Sequence, residues 1–390
     1  MFARLAAWTR YALGVIVGLA LLEVTLRANP SLLLRGMALP APVDPPITVK
    51  EYGLFASDAD VFYWHSDIIR TIPPEKDLLE AEVRFETDEF GFPNAAPQPE
   101  TVDVVVLGRS YSLGAQAARP WVRLLEEETG LKVLNLSQAA SSLDVRQSYL
   151  LRYGQPRNPR WVIIEILPSM DILGYAEPRP FLVPQLPVPI LRQMARQHKG
   201  PIRTEETPAV YPLTVEVGGN EISLTFFSYY LAALTADESS VVASNQWRAF
   251  SGELAELTEL VEDAGACALL LYAATKEEIY YTLASNPDQL QPAADLISPW
   301  RLSEGGDLVQ DPELHANAAV MRANAQTLRQ MVSSLASSMG LDLVDPFPRF
   351  LEGGLQGEDP FMSYDTHWSV AGHRWVAEQV AEILHRESCP

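Results

Sequence analysis

Val102-Asp-Val-Val-Val-Leu107, running directly into Gly108-Arg109-Ser110, decides the fold class of the chain. Five of those first six residues are apolar and four are β-branched or leucine in succession, the pattern of a strand buried on both faces of a parallel sheet. The Gly-Arg-Ser that follows reads as a tight turn at the strand's end. Moving outward, Pro120 suits the first turn of a helix, with Trp121, Leu124 and Leu125 as its apolar stripe, Glu126 to Glu128 as its wet side and Gly130 as its stop.

The alternation then repeats. Lys132–Leu136 and Trp161–Leu167 read as the second and third strands, with a helix over Leu143–Tyr153 between them. Ser244 can cap a helix whose apolar residues, Trp247, Phe250, Leu254, Leu257, Leu260 and Val261, recur at spacings of three and four, and Gly265 closes it. Cys267–Tyr272 is the fourth strand, Asn317–Met339 a long helix, Leu341–Val344 the fifth strand, and Ser369 caps a final helix with Trp375, Val376, Val380, Ile383 and Leu384 inward. Right-handed crossovers place the helices on both sheet faces, so the expected fold is an α/β three-layer sandwich with a five-stranded parallel sheet. Ligands in such sheets sit at the carboxyl ends of the strands. Residues 171–243 form an insertion, proline-rich at first, whose second half (Leu213–Val217, Gly218-Gly-Asn220, Glu221–Phe226) carries a β-hairpin signal. Phe90-Gly-Phe-Pro-Asn94 reads as a turn, and Phe55, Phe62, Tyr63 and Trp64 as an aromatic segment packing onto the body.

The N-terminus points to a membrane. Tyr11–Leu22 is an uncharged apolar run after Arg4 and Arg10, and Leu5–Leu26 at about 1.5 Å rise per residue matches roughly one bilayer thickness. Arg10 and Glu23 would then lie near the ends, where long side chains snorkel. With no small-residue cleavage pattern after the run, residues 1–27 read as an uncleaved signal anchor; a removed signal and a buried core helix are the alternatives. Residues 28–50, holding five prolines between Asn29 and Lys50, read as a semi-rigid linker, and 51–390 as the folded body, outside the cytoplasm.

The 390 residues carry 29 Lys+Arg against 50 Asp+Glu, a net charge of −21 that argues against nucleic acid as a partner. Two cysteines, Cys267 and Cys389, allow no disulfide framework and leave a single bridge between them open. The six histidines show no metal-ligand spacing, so no metal or cofactor is expected.

Two places can carry chemistry. A serine on the turn after the first strand, in Gly108-Arg-Ser-Tyr-Ser-Leu-Gly114, can project its hydroxyl over the sheet edge among backbone N–H groups; alone, Ser110 or Ser112 could equally serve the turn itself. In Tyr364-Asp-Thr-His-Trp368, Asp365 can hold the imidazole of His367 by its Nδ1 proton and leave Nε2 as a general base, although the same loop could simply cap the last helix. This topology brings both to one edge. Glu165, inside an apolar strand, requires a cationic partner, for which Arg109 is the nearest candidate. Lys276 reads as a solvated charge at a helix start, with a phosphate or carboxylate contact as the alternative, and His373 as a cap partner or surface residue.

These blocks resemble the SGNH, or GDSL, hydrolase superfamily over roughly Val102–Leu384, with a flavodoxin-like sheet implied. The Asp-x-His-Trp form is similar to the branch containing the alginate O-acetylation proteins of the bacterial periplasm, which carry the blocks in another order, and Ala274-Thr-Lys-Glu-Glu-Ile-Tyr280 also resembles a segment of that branch. The resemblance implies Ser110 as nucleophile, His367 as base and Asp365 as its orienting partner, with Arg109, Asn135 and Ala139 around the oxyanion and substrate. Three departures stand out. Arg109 occupies the place of the family's Asp, Ala139 and Ala140 stand where a glycine is usual, and strand three ends Glu165-Ile-Leu-Pro168 without the family's asparagine. Losing one oxyanion donor costs on the order of 3 kcal/mol. The expected function is a membrane-anchored, extracytoplasmic serine esterase or O-acyltransferase acting on acyl groups, acetyl foremost, of cell-surface glycans. The alternative is a weakly active or inactive module binding a glycan or a partner protein in an envelope assembly. A nucleotide-binding domain is disfavoured because no glycine-rich phosphate loop follows any strand.

Overall fold

The computed structural model describes residues 50–53, 82–115, 117–139, 141–174, 210–363 and 365–386. All of them fall in one compact unit spanning 41–176 and 205–390. The expected anchor and linker, and Phe55, Phe62, Tyr63 and Trp64, lie outside the described residues; among the described ones, no helix is long and apolar enough to cross a membrane.

Eleven strands occur in chain order among these residues: β1 (Lys50–Gly53), β2 (Glu82–Phe85), β3 (Val104–Leu107), β4 (Val133–Asn135), β5 (Trp161–Ile166), β6 (Val210–Val217), β7 (Asn220–Phe227), β8 (Cys267–Tyr272), β9 (Trp300–Leu302), β10 (Leu308–Gln310) and β11 (Asp342–Val344). Five of them form one parallel sheet in the order β11-β8-β5-β3-β4. The fold is therefore α/β around a five-stranded parallel sheet. Both β3 and β5 are buried at every residue, as two-sided coverage demands. The chain leaves β3 for β4 on one side and returns to β5 on the other, so the strand order reverses at the end of β3, where a crevice opens in such sheets.

The helices pack in groups. The Trp121–Thr129 helix lies against Val370–Arg386, while Asn245–Asp263 packs on Leu143–Tyr149 and β8. Local signals set several boundaries. Ser244 accepts from Trp247 N at 3.1 Å, and the β6–β7 hairpin turns at Gly218 and Gly219, whose φ values of 58° and 85° suit glycine.

The structure departs from the expected elements in five places. The helix expected to reach Tyr153 ends at Tyr149 and widens into a π turn over Leu150–Gly154. The long helix expected over 317–339 is two, Ala318–Asn324 and Thr327–Ser338, because the first packs beside Lys276–Leu283 and the second beside β8 and β11. The antiparallel pairs β1–β2 and β9–β10 and the Phe347–Gln356 helix were not legible, being short or interrupted by glycines. Cys267 is disulfide-bonded, and the chain's other cysteine, Cys389, lies outside the described residues.

Candidate active site

Ser110 opens a one-turn helix, Ser110–Leu113, directly at the carboxyl end of β3, and is 7% exposed. Gly108 is required just before it: a Cβ there would stand 2.5 Å from Ser112 Cβ and 2.7 Å from Glu165 Oε2. That close approach lets Glu165 Oε2 accept the Ser112 N–H at 2.8 Å, capping the helix from below. Ser112 is wholly buried and its Oγ accepts from Trp121 Nε1 at 3.2 Å, so of the two serines in the turn this one is tied into the fold.

Asp365 and His367 sit in a loop closed by the Phe361–Trp368 bridge and by Met362 N donating to His367 O at 3.1 Å. Both side chains are buried. Asp365 Oδ1 accepts from His367 Nδ1 at 2.5 Å and from His367 N at 2.8 Å, which fixes the imidazole's orientation. Tyr111, the residue after Ser110, joins the two places. Its hydroxyl donates to Thr366 O at 2.9 Å, and its ring lies 5.0 Å from the His367 ring and 4.9 Å from that of Trp368. Burial, reinforced by Tyr230, Glu277 and Asp365, pushes the Tyr111 hydroxyl far above its ordinary range, so it stays a neutral donor.

Arg109 pairs with Asp171 and not, as the sequence suggested, with Glu165. Its Nε and Nη2 lie 2.8 and 2.7 Å from Asp171 Oδ1, and Arg146 Nη2 reaches the same oxygen at 3.0 Å. Asp171 Oδ2 accepts from Leu167 N at 2.8 Å. Burial alone would raise the Asp171 pKa, but Arg109 and Arg146 together hold it below the usual carboxylate range. Among the described residues no cation forms a salt bridge with the Glu165 carboxylate; the charge of Arg146 lowers its pKa from nearby, and Arg146 Nη1 donates to the Glu165 main-chain carbonyl. Burial nevertheless raises Glu165, and its Oε1 has no hydrogen-bond partner among the described residues. The reason for the exchange is reach: Asp171, from the turn after β5, and Arg146, from the helix after β4, converge on the crevice, and neither is adjacent to Arg109 in sequence.

Asn135 is spent inside the fold. Its Nδ2 donates to Ser112 O at 2.7 Å and its Oδ1 accepts from Ser137 N at 3.0 Å. Ala139 is exposed in the following turn, which is pinned beside the site by Gln138 N and Ser141 Oγ, both donating to Gly108 O at 3.1 and 2.9 Å. After β5, Ser169 is buried with its Oγ unpartnered among the described residues.

One further expectation is corrected, that of a solvated Lys276, while of the two readings of His373 the cap partner holds and the surface residue does not. Lys276 is wholly buried, its Nζ donating to Met362 O and, at 3.1 Å, to Ser363 O, so loop carbonyls take the place of water. His373 is buried too, and its Nδ1 accepts the first N–H of a neighbouring helix, that of Trp121, at 3.2 Å. Burial, with a smaller electrostatic contribution from the neighbouring His367, depresses its pKa to about 3. Glu277 and Glu278 are both pushed up to about 7 by burial. Tyr111, Arg146 and Asp171 were missed as site residues; the readable signal was a charge interrupting an apolar helix stripe at Arg146.

Solved structures resemble this chain loosely. The acetyl xylan esterase AlAXEase is 12% identical, with 72% of this chain and 99% of that one covered at a TM-score of 0.35. TesA is 16% identical, covering 73% and 98% at 0.35. A catalytic mutant of Axe2, an acetylxylan esterase from Geobacillus stearothermophilus, is 14% identical, covering 73% and 95% at 0.36. No curated protein matches the chain. Residues 309–390, the segment that holds Asp365, His367 and the last helix, match the family model described as the SGNH hydrolase-like domain, acetyltransferase AlgX, in agreement with the resemblance read from the sequence.

Proposed function

We propose that the protein is an SGNH-type serine esterase or O-acyltransferase, with Ser110 as nucleophile, His367 as general base and Asp365 as its orienting partner. One observation carries the reading: the buried Asp365–His367 pair is held against the Ser110 turn by Tyr111, which bonds the loop at Thr366 and packs on the imidazole. In this reading Ser110 Oγ attacks the acyl carbonyl while its proton passes to His367 Nε2, and the backbone N–H groups of Ser110 and Ala139 receive the oxyanion. The alkoxy bond then breaks, the leaving alcohol takes the proton from His367, and water or a sugar hydroxyl resolves the acyl-enzyme by the reverse sequence. Water gives hydrolysis and a hydroxyl gives transfer.

The acyl group is proposed to be acetyl, which the match to an acetyltransferase family supports. The acceptor or donor is proposed to be a cell-surface glycan, and the location extracytoplasmic, with residues 1–27 as the membrane anchor. The apolar run Tyr11–Leu22 supports the anchor, and the disulfide at Cys267 supports an oxidising compartment. Partner proteins of an envelope assembly belong to the same proposal. A second reading, a weakly active or inactive binding module, is favoured by Arg109, whose guanidinium is committed to Asp171, and by the absence of asparagine from Leu167–Asp171.

Fluorophosphonate labelling of the full chain in detergent, followed by intact mass, separates the two readings, because only an activated serine is phosphonylated quickly. A single adduct on the wild type, absent from Ser110→Ala and His367→Ala, is the expected result. An unlabelled wild type overturns the enzyme reading in favour of the binding module.

A further inference from the structure

The start of the Lys276–Leu283 helix is chemically costly. Lys276 places a cation at the positive end of the helix dipole and is wholly buried, two penalties that a solvated lysine would avoid. Its Nζ donates to two successive carbonyls, Met362 O and Ser363 O, within the loop that carries Asp365 and His367. Neighbouring bonds fasten the same loop. Thr225 N, on β7, donates to Ser363 O at 2.9 Å, and Trp368 Nε1 donates to Ala274 O at 3.1 Å. The next residue of the helix, Glu277, accepts from Phe227 N at 2.6 Å and so ties the end of β7 to the same point. Three segments distant in sequence thus meet at one helix start, and the ammonium stands at their junction.

We propose that Lys276 is a positioning residue, whose ammonium holds the Met362–His367 loop so that the imidazole stays aligned toward Ser110. The inference rests on the reading of Ser110 and His367 as nucleophile and base. Charge-assisted bonds to carbonyls suit this task, being shorter and stronger than neutral ones, and they offset part of the desolvation of a buried lysine. The cost is tolerated because misalignment of a base by a fraction of an ångström slows proton transfer while leaving substrate binding intact.

The test measures fluorophosphonate labelling across probe concentrations for the full-length wild type, Lys276→Met and Lys276→Gln, with a thermal melt of each. For Lys276→Met the maximal labelling rate is expected to fall roughly tenfold to a hundredfold, with the half-saturating probe concentration and the near-UV circular dichroism unchanged. Lys276→Gln, which keeps an N–H donor, recovers part of that loss. A Lys276→Met protein that labels at the wild-type rate overturns the proposal, as does a loss confined to probe affinity. Where Lys276→Met does not fold, Lys276→Gln is read in its place, and wild-type labelling by it shows that the ammonium is not needed. An unlabelled wild type sinks the nucleophile assignment itself, an outcome distinct from any of these.

Discussion

Asp171 is the residue on which the cations around Ser110 depend. One buried carboxylate receives Arg109, Arg146 and the Leu167 N–H, so removing it strands two buried guanidinium groups. Asp171→Ala is expected to lower stability by about 3–5 kcal/mol, read by urea unfolding, whereas an exposed pair such as Arg349–Glu352 should matter by less than about 1 kcal/mol when broken. His373 gives the pH dependence a sign. Its folded-state pKa of about 3 lies below the ordinary 6.5, so the unfolded chain binds a proton that the folded one refuses. The stability it protects is complete above about pH 6.5 and is lost progressively as the pH falls toward 3. His373→Gln, which can still accept from Trp121 N, should flatten the decline in unfolding free energy over that window; an unchanged slope would count against this account. Glu277 and Glu278 act in the opposite sense, since their raised values make the folded state lose stability as the pH rises from about 4.5 through about 7, and the wild-type profile is the sum of these slopes.

At the scale of elements, Thr275 starts the helix that presents Lys276 and Glu277. It forms a capping box: Glu278 N donates to Thr275 Oγ1, and Thr275 N donates to Glu278 Oε2 at 2.7 Å. Thr275→Ala is expected to cost about 1–2 kcal/mol in urea unfolding and to slow fluorophosphonate labelling, because the fraying end is the one that grips the His367 loop. Full stability with normal labelling would show that the helix start is held by Lys276 and Glu277 alone. Elements with strong local signals are legible in the amino-acid sequence: β8 occupies Cys267–Tyr272 as expected, and Ser244 caps its helix. The Ala318–Asn324 and Thr327–Ser338 helices were not separable, since their shared periodicity runs on unbroken while their packing partners differ. Periodicity reports which face is apolar and carries nothing about which neighbour that face meets.

For the whole molecule, the disulfide at Cys267 anchors the amino end of β8, a strand inside the central sheet. Cys267→Ser, or reduction, is expected to lower stability by about 2–4 kcal/mol, measured as the separation of urea curves with and without reductant. Coincident curves would remove the disulfide as a source of stability. The net charge of −21 leaves the fold untouched and bears on what approaches it. By itself the sequence determined the parallel α/β alternation, the ends of several helices, and the Asp365–His367 pair, because each rests on residues within a few positions of one another. Only the tertiary structure decided the partners of the buried charges and of the buried Tyr111 hydroxyl. Arg109 meets Asp171 across 62 positions, Lys276 meets Met362 across 86, and Tyr111 meets Thr366 across 255. A buried charge must find a counter-group, but which one it finds is set by the crossing of strands and helices in space.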